Sequence, residues 1–296
     1  MSSLRDIRKR IKSVKSTRQI TKAMKMVAAA KLRKAQENAQ NTRAYAQTLA
    51  KLLDSVLSGT EGGGEATHPL MASRAVKKID LLVVTSDRGL AGAYNVNVGR
   101  QVLKFVRANP DAEVSITTIG KKGGEFLRAR GLKIRKDWAG LYGRMSYQAA
   151  EEVSEELAQR FLAGEADAVY VAGTYFKSAL VQEARVVQLL PSKPGAGAEG
   201  DEAPAAKGAA GDMLFEPNPR TVIDQLLPRA MAVQVFRILL EGLASEHGAR
   251  MTAMENATKA AGDMIGALTL AYNRTRQAAI TKELMEIVSG AEALKG

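Results

Sequence analysis

The chain has 296 residues, 46% of them hydrophobic and only 5% aromatic, with one tryptophan, eleven methionines, two histidines and no cysteine. That length accommodates one large domain or two small ones with a proper core, the composition favours helices rich in Ala, Leu, Met and Lys over an all-β fold, and the missing cysteine excludes disulfides, zinc–thiolate sites and thiol nucleophiles. The net charge of +12 is concentrated, because residues 1–43 hold thirteen Lys or Arg against Asp6 and Glu37 and the rest of the chain is close to neutral.

No window of 18 uncharged apolar residues occurs, so no helix is expected to cross a membrane, and no apolar core of a secretory signal is present. The basic, Ser-bearing start resembles an organelle transit peptide in composition, but its helical pattern continues past residue 50 without a break. His68 and His247 lie far apart in sequence, which argues against a histidine-built metal site.

Residues from Leu4 to about Leu57 form the first predicted helix. Leu4, Ile7, Ile11, Val14, Thr21, Ala28, Leu32 and Ala35 keep a 3/4 spacing, with a second stripe at Ile20, Met24 and Val27, and no Gly or Pro intervenes before Gly59. Such a helix is roughly 80 Å long. The Gly-rich run "GTEGGGEATHPL" ends it. Strands are then expected in "KKIDLLVVTSDRGLAG", "AEVSITTIG", "ADAVYVAGTY" and "ARVVQLLP". Helices are expected in "NVGRQVLKFVRA", "KKGGEFLRARG" and "SYQAAEEVSEELAQRFLAG". This alternation predicts an α/β unit with a mainly parallel sheet. Residues 191–212 are low in complexity and read as a mobile loop. From Pro219 to about Leu294 a second long helix is predicted, about 110 Å in length. Met251, Met254, Thr258, Ala261, Ile265, Leu268, Tyr272, Thr275 and Ala279 form a coiled-coil seam of soft and small residues, and Pro228 is expected to kink or restart it.

The predicted architecture is α/β: a long antiparallel two-helix coiled coil from the N- and C-terminal helices plus a Rossmann-like α/β domain. Its segments are a helix over 1–58, an α/β domain over 76–190, the loop 191–212, and a foot segment with the closing helix over 213–296. Neither terminal helix is apolar enough to stand alone, so each is the simplest partner for the other.

Three motifs could carry chemistry. "SDRGLAG" at 86–92 ends a strand where α/β folds bind phosphates, and "GKKGGEF" at 120–126 has the composition of a phosphate loop. Neither of the two is a GxGxxG or a GxxxxGK[ST] motif, so both read better as tight packing turns. Glu151, Glu152, Glu155 and Glu156 form one wet helix face with no His or Cys beside them. No nucleophile–base pair is visible, and the chain reads as a non-enzyme without cofactor or metal.

Four motifs, in order along nearly the whole chain, resemble one family. "IRKRIKSVKSTRQITKAMKMVAAAKLRKAQ" resembles the N-terminal helix of γ subunits of F-type ATP synthases, and "LLVVTSDRGLAGAYN" their first strand and turn. "LASEHGARMTAMENAT" and "YNRTRQAAITKELMEIVSGAEAL" resemble the closing helix, whose Ile/Val-Thr-x-Glu-x-x-Asp/Glu-x-x-x-Gly-Ala pattern is met by Ile280, Thr281, Glu283, Glu286, Gly290 and Ala291.

The resemblance implies a rotor shaft inside a ring of α and β subunits, footed with an ε subunit on a membrane-embedded c-ring. It implies peripheral attachment at the cytoplasmic face of a bacterial membrane, with ATP chemistry on the neighbouring subunits. Met24 corresponds to a position facing β-subunit loops. Arg276 and Gln277 correspond to residues bonding a β-subunit catch loop, with Thr281 and Glu283 one turn further on. Phe215 and Glu216 correspond to positions near c-ring loops; Tyr45 could lie there too, though nothing local singles it out. The 191–212 loop is longer than the family's expected connection, and the cysteine-bearing insertion of chloroplast relatives is missing. The absence of a leader favours a bacterial origin. Two rivals stand beside this reading: a basic coiled coil binding nucleic acid through its arm, and a nucleotide-dependent α/β enzyme resting on weak Gly turns.

Overall fold

The computed structural model describes residues 3–60, 68–192, 216 and 218–293. The low-complexity run over 193–212 and Phe215 lie outside the described residues. The element order is α1 (Leu4–Thr60), β1 (Lys78–Val84), α2 (Tyr94–Ala108), β2 (Glu113–Ile119), α3 (Lys121–Arg128), β3 (Ile134–Trp138), α4 (Tyr147–Leu162), β4 (Ala168–Phe176), β5 (Gln182–Leu190) and α5 (Pro219–Ala293), with 3-10 turns at Pro69–Met71 and Tyr142–Arg144. The residues fall into two compact units: Ala29–Ala249, and Met1–Ala28 with Arg250–Gly296.

The unit of residues 29–249 is organised by a five-stranded sheet in the order β3-β2-β1-β4-β5. β1 pairs in parallel with both β2 and β4, β2 with β3 in parallel, and β5 returns antiparallel on the edge. β1 is apolar on both faces because both are covered. Leu82 and Val84 join Val153, Leu157 and Phe161 of α4 and Ile223, Val235 and Leu239 of α5 in one core cluster. Leu81 and Val83 point the other way, to Val98 and Val102 of α2 and Leu127 of α3. The C-terminal part of α1 is fastened to the first of these cores by Leu53 and Val56.

One polar link crosses that layer. Asp80 on β1 is fully buried and accepts a bond from Arg160 Nε of α4 at 2.6 Å.

The second unit is a helix pair. Arg8 Nη2 donates to the Tyr272 hydroxyl at 2.6 Å, Thr258 Oγ1 to Thr21 Oγ1 at 2.7 Å, and Lys25 Nζ to Glu255 at 2.6 Å. Partners climb on α1 as they descend on α5, so the pairing is antiparallel.

Two expectations change. β3 was not read from the sequence, because "IRKDW" is short and three of its five residues are charged. α5 also continues through Pro228, where a kink or a restart is expected, so the restart is set aside. Leu227 and Met231 on either side of the proline are buried in the core, and that packing outweighs the lost backbone bond.

Candidate functional site

The strand order makes the carboxyl ends of β1 and β4 the switch point at which the connections diverge, the place where open α/β sheets hold ligands. Here the chain fills that crevice itself. A Cβ on Gly173 of β4 would come 2.8 Å from Ile238, and one on Gly242 would come 3.3 Å from the Tyr94 hydroxyl and 3.6 Å from Val84. A Cβ on Gly248 would meet Phe176 and Ala179 at 3.3 Å. These glycines let α5 lie directly on the sheet ends. The Tyr94 and Tyr142 hydroxyls share a hydrogen bond of 3.2 Å there. Burial raises Tyr142 well above the usual phenol range, and the neighbouring Tyr94 and Glu246 push it further.

The start of α3 is likewise closed. Its first backbone donors are all used: Lys121 N–H to Asp87 Oδ1 at 3.1 Å, Lys122 N–H to Ser86 O at 3.0 Å, and Gly123 N–H to Thr85 Oγ1 at 2.9 Å. Gly120 has φ +92°, and a Cβ on it would sit 2.1 Å from Thr85 O. The glycines of "SDRGLAG" and "GKKGGEF" therefore serve close packing, with a carboxylate where a phosphate would otherwise lie. Glu156 accepts from Lys136 Nζ at 2.5 Å and pairs with Arg135 Nη1 at 2.9 Å. Burial opposes its ionisation, yet bonds from these two cations hold it below the ordinary glutamate range.

What the fold leaves open is the helix pair. Its seam follows the spacing read from the sequence. Ile7, Thr21, Ala28, Met254 and Ala261 are buried, and Ile11, Val14, Ile265, Leu268, Tyr272 and Thr275 are half-buried. Met24 sits half-buried beside the seam, while Ile20 and Val27 are more than half exposed. Arg5, Lys9, Arg10, Lys12, Lys15, Arg18 and Lys22 all face solvent.

Arg276, Gln277, Thr281 and Glu283 are exposed. Their place on the helix explains why. Continuing the register of Arg8 with Tyr272 puts Leu4, the first residue of α1, level with Arg276. Beyond that point α5 has no partner helix among the described residues for roughly 25 Å. Residues 281–290 are exposed on every side, including Leu284, Met285, Ile287 and Val288. The candidate residues on the helix pair thus lie at two stations, Met24 within the pair and the other four at its end, roughly 30–40 Å away along the helices. Glu216 is exposed. The apolar character of the overhang was not singled out by sequence reasoning, although its spacing was on view in "AITKELMEIVSGA".

The family model described as ATP synthase matches residues 3–294. The ATP synthase gamma chain of Anaeromyxobacter sp. (strain Fw109-5) is 52% identical over 299 residues, covering 100% of both chains. That of Geobacter metallireducens is 48% identical over 298 residues with the same coverage. Among solved structures, the central stalk and c-ring of Tetrahymena thermophila mitochondrial ATP synthase contains a chain with TM-score 0.58 and 24% identity, covering 80% of this chain and 99% of that one. A chain of the Euglena gracilis mitochondrial ATP synthase rotor has TM-score 0.61 and 19% identity, covering 94% and 98%. At those identities the structures speak for the fold alone. The full-length match sets the nucleic-acid reading aside.

Proposed function

This chain belongs to the ATP synthase γ-chain family, and from that premise we propose how its two units work. It is the central-stalk rotor subunit of an F-type ATP synthase. The helix pair stands inside a ring of α and β subunits, and the sheet body is footed with ε on the c-ring. Ion flow turns the c-ring, the shaft turns with it, and its asymmetry drives the catalytic sites on the surrounding subunits through successive affinities. The complex is held peripherally at the cytoplasmic face of the membrane.

The observation that carries this reading is the lone end of α5. A single helix exposing Ile280, Leu284, Met285, Ile287 and Val288 on a polar background is marginal in water. It becomes stable only when a surrounding surface covers it. Arg276, Gln277, Thr281 and Glu283 lie along this end, where they meet a β-subunit loop. Met24 and the cations of α1 face β-subunit loops lower down, and Phe215 and Glu216 meet loops of the c-ring.

The chemistry suits rotation. A deep apolar lock holds one angle, whereas Lys and Arg on long stems act at longer range and exchange one acidic partner for another as the shaft turns.

The test is co-purification. The tagged chain, extracted gently from membranes, is expected to bring α- and β-type subunits and ATP hydrolysis that fails to assemble without it. Elution of the chain alone, or with nucleic acid removable by salt, contradicts the shaft.

A further inference from the structure

The charge of this chain is not confined to its first helix. Between Tyr94 and Lys136 stand ten Lys or Arg against three acids, Asp111, Glu113 and Glu125. Part of that excess is neutralised within the body: Lys122 pairs with Glu125, Arg128 with Asp137, and Arg135 and Lys136 with Glu156. Arg100, Lys104 and Arg107 have no carboxylate within ion-pair distance among the described residues, and all three are exposed. Their spacing puts them on one solvent stripe of α2.

A stacked aromatic extends that stripe. A Cβ on Gly99 would lie 2.3 Å from the Phe126 ring, so α2 and α3 touch there. The Arg130 guanidinium lies over the same ring at 3.4 Å from its centroid, and its Nη1 donates to Phe126 O at 3.0 Å. Arg130 is thereby fixed beside α2, with donors left over and no acid within ion-pair distance among the described residues. The face contains no anchor for a tight protein contact, since no large apolar side chain between residues 91 and 161 is exposed among the described residues. Stable protein interfaces concentrate their energy in such anchors.

We propose that the outer face of α2 and α3 is a contact surface for a bilayer carrying anionic headgroups. The inference rests on the shaft reading, which puts the sheet body beside a membrane. Cations on a face without apolar anchors are drawn to a negatively charged leaflet without inserting into it. A fluid anionic surface presents the same field at every angle, so the contact steadies a turning body without stopping it. The attraction is electrostatic and weakens as salt is raised.

The experiment uses the complex of α- and β-type subunits assembled on this chain, so that the α1 arm is enclosed. Its sedimentation is compared with phosphatidylcholine vesicles and with vesicles containing phosphatidylglycerol. The assembled complex is expected to bind the anionic vesicles and not the neutral ones. The triple variant Arg100→Gln, Lys104→Gln, Arg107→Gln is expected to lose at least about tenfold in that binding while assembling and hydrolysing ATP as before. Equal binding by the variant, or equal binding to both vesicles, overturns the proposal. A variant that instead loses a partner subunit makes this face a dock for an acidic protein and also overturns it. A chain that fails to assemble with α and β contradicts the shaft reading itself and removes this inference with it.

Discussion

The sheet body and the helix pair are made from the same two long helices and hold together by different means. In the body, α5 contributes Ile223, Leu227 and Leu239 to a core shared with β1, β4 and α4, and every one of these side chains is almost fully buried. In the pair, the buried positions are Ile7, Thr21, Ala28, Met254 and Ala261, three of them Ala or Thr, with polar bridges beside them. An alanine or threonine removes little apolar surface from water, and burial stabilises in proportion to that surface. The body is closed by its own sequence. The pair is only shallowly buried, and the end of α5 is exposed on every side over residues 281–290. A shaft requires that difference: one part rigid enough to be turned, another whose surface is completed by whatever surrounds it.

The contrast makes a first, large prediction. Phe161→Ala opens a cavity in the fully buried core of the body and is expected to cost about 3–5 kcal/mol, read from urea unfolding followed on the sheet. A loss below about 1 kcal/mol there would mean that the body, too, relaxes like a seam. Met254→Ala, the matching truncation in the pair, is expected to cost less than about 2 kcal/mol, because the seam is shallow and can close. Hydrogen exchange along residues 250–275 measures it, and a cost equal to that at Phe161 would erase the distinction.

The smallest effect concerns pH and belongs to the body alone. His68 Nδ1 accepts the Leu70 N–H at 3.0 Å, and its Nε2 lies 3.7 Å from Asp224. Burial lowers the imidazole from its ordinary 6.5, while Asp224 acts to raise it. The unfolded chain therefore takes up this proton first. The contribution is complete above 6.5 and is lost as pH falls from there through the lower folded value. Urea midpoints at about pH 7.5 and about pH 5.5 are expected to differ less in His68→Gln than in the parent. An unchanged difference would place the pH sensitivity elsewhere.

Much of this was legible in the residues. The seam of α5, from Met251 to Ala279, is a periodic pattern, and each of its positions is buried or half-buried as the spacing requires. The sheet strands other than β3 are apolar runs long enough to stand out. β3 was hidden because its Arg135 and Lys136 serve ion pairs with Glu156, a partner 20 or more residues away that no local pattern reveals. Pro228 is similar: a local rule allows a kink or a restart, and distant packing keeps the helix continuous through it. The filled crevice between β1 and β4 was also beyond local reading. Gly173 and Gly242 are separated by the whole of β5 and the segment after it, and only folding brings both against their neighbours. The family's motifs named Arg276, Gln277, Thr281 and Glu283, but only the register of Arg8 with Tyr272 explains why they stand free.

The most direct test of the central claim is hydrogen exchange on residues 277–293, measured in the isolated chain and again in the assembled complex. The account predicts exchange close to that of an unprotected peptide in the isolated chain, with β1 and β4 strongly protected in the same sample. It predicts slowing by about a hundredfold or more once α and β subunits surround the helix. Full protection of this stretch in the isolated chain, or no change on assembly, would contradict the claim that the end of α5 is completed by its partners.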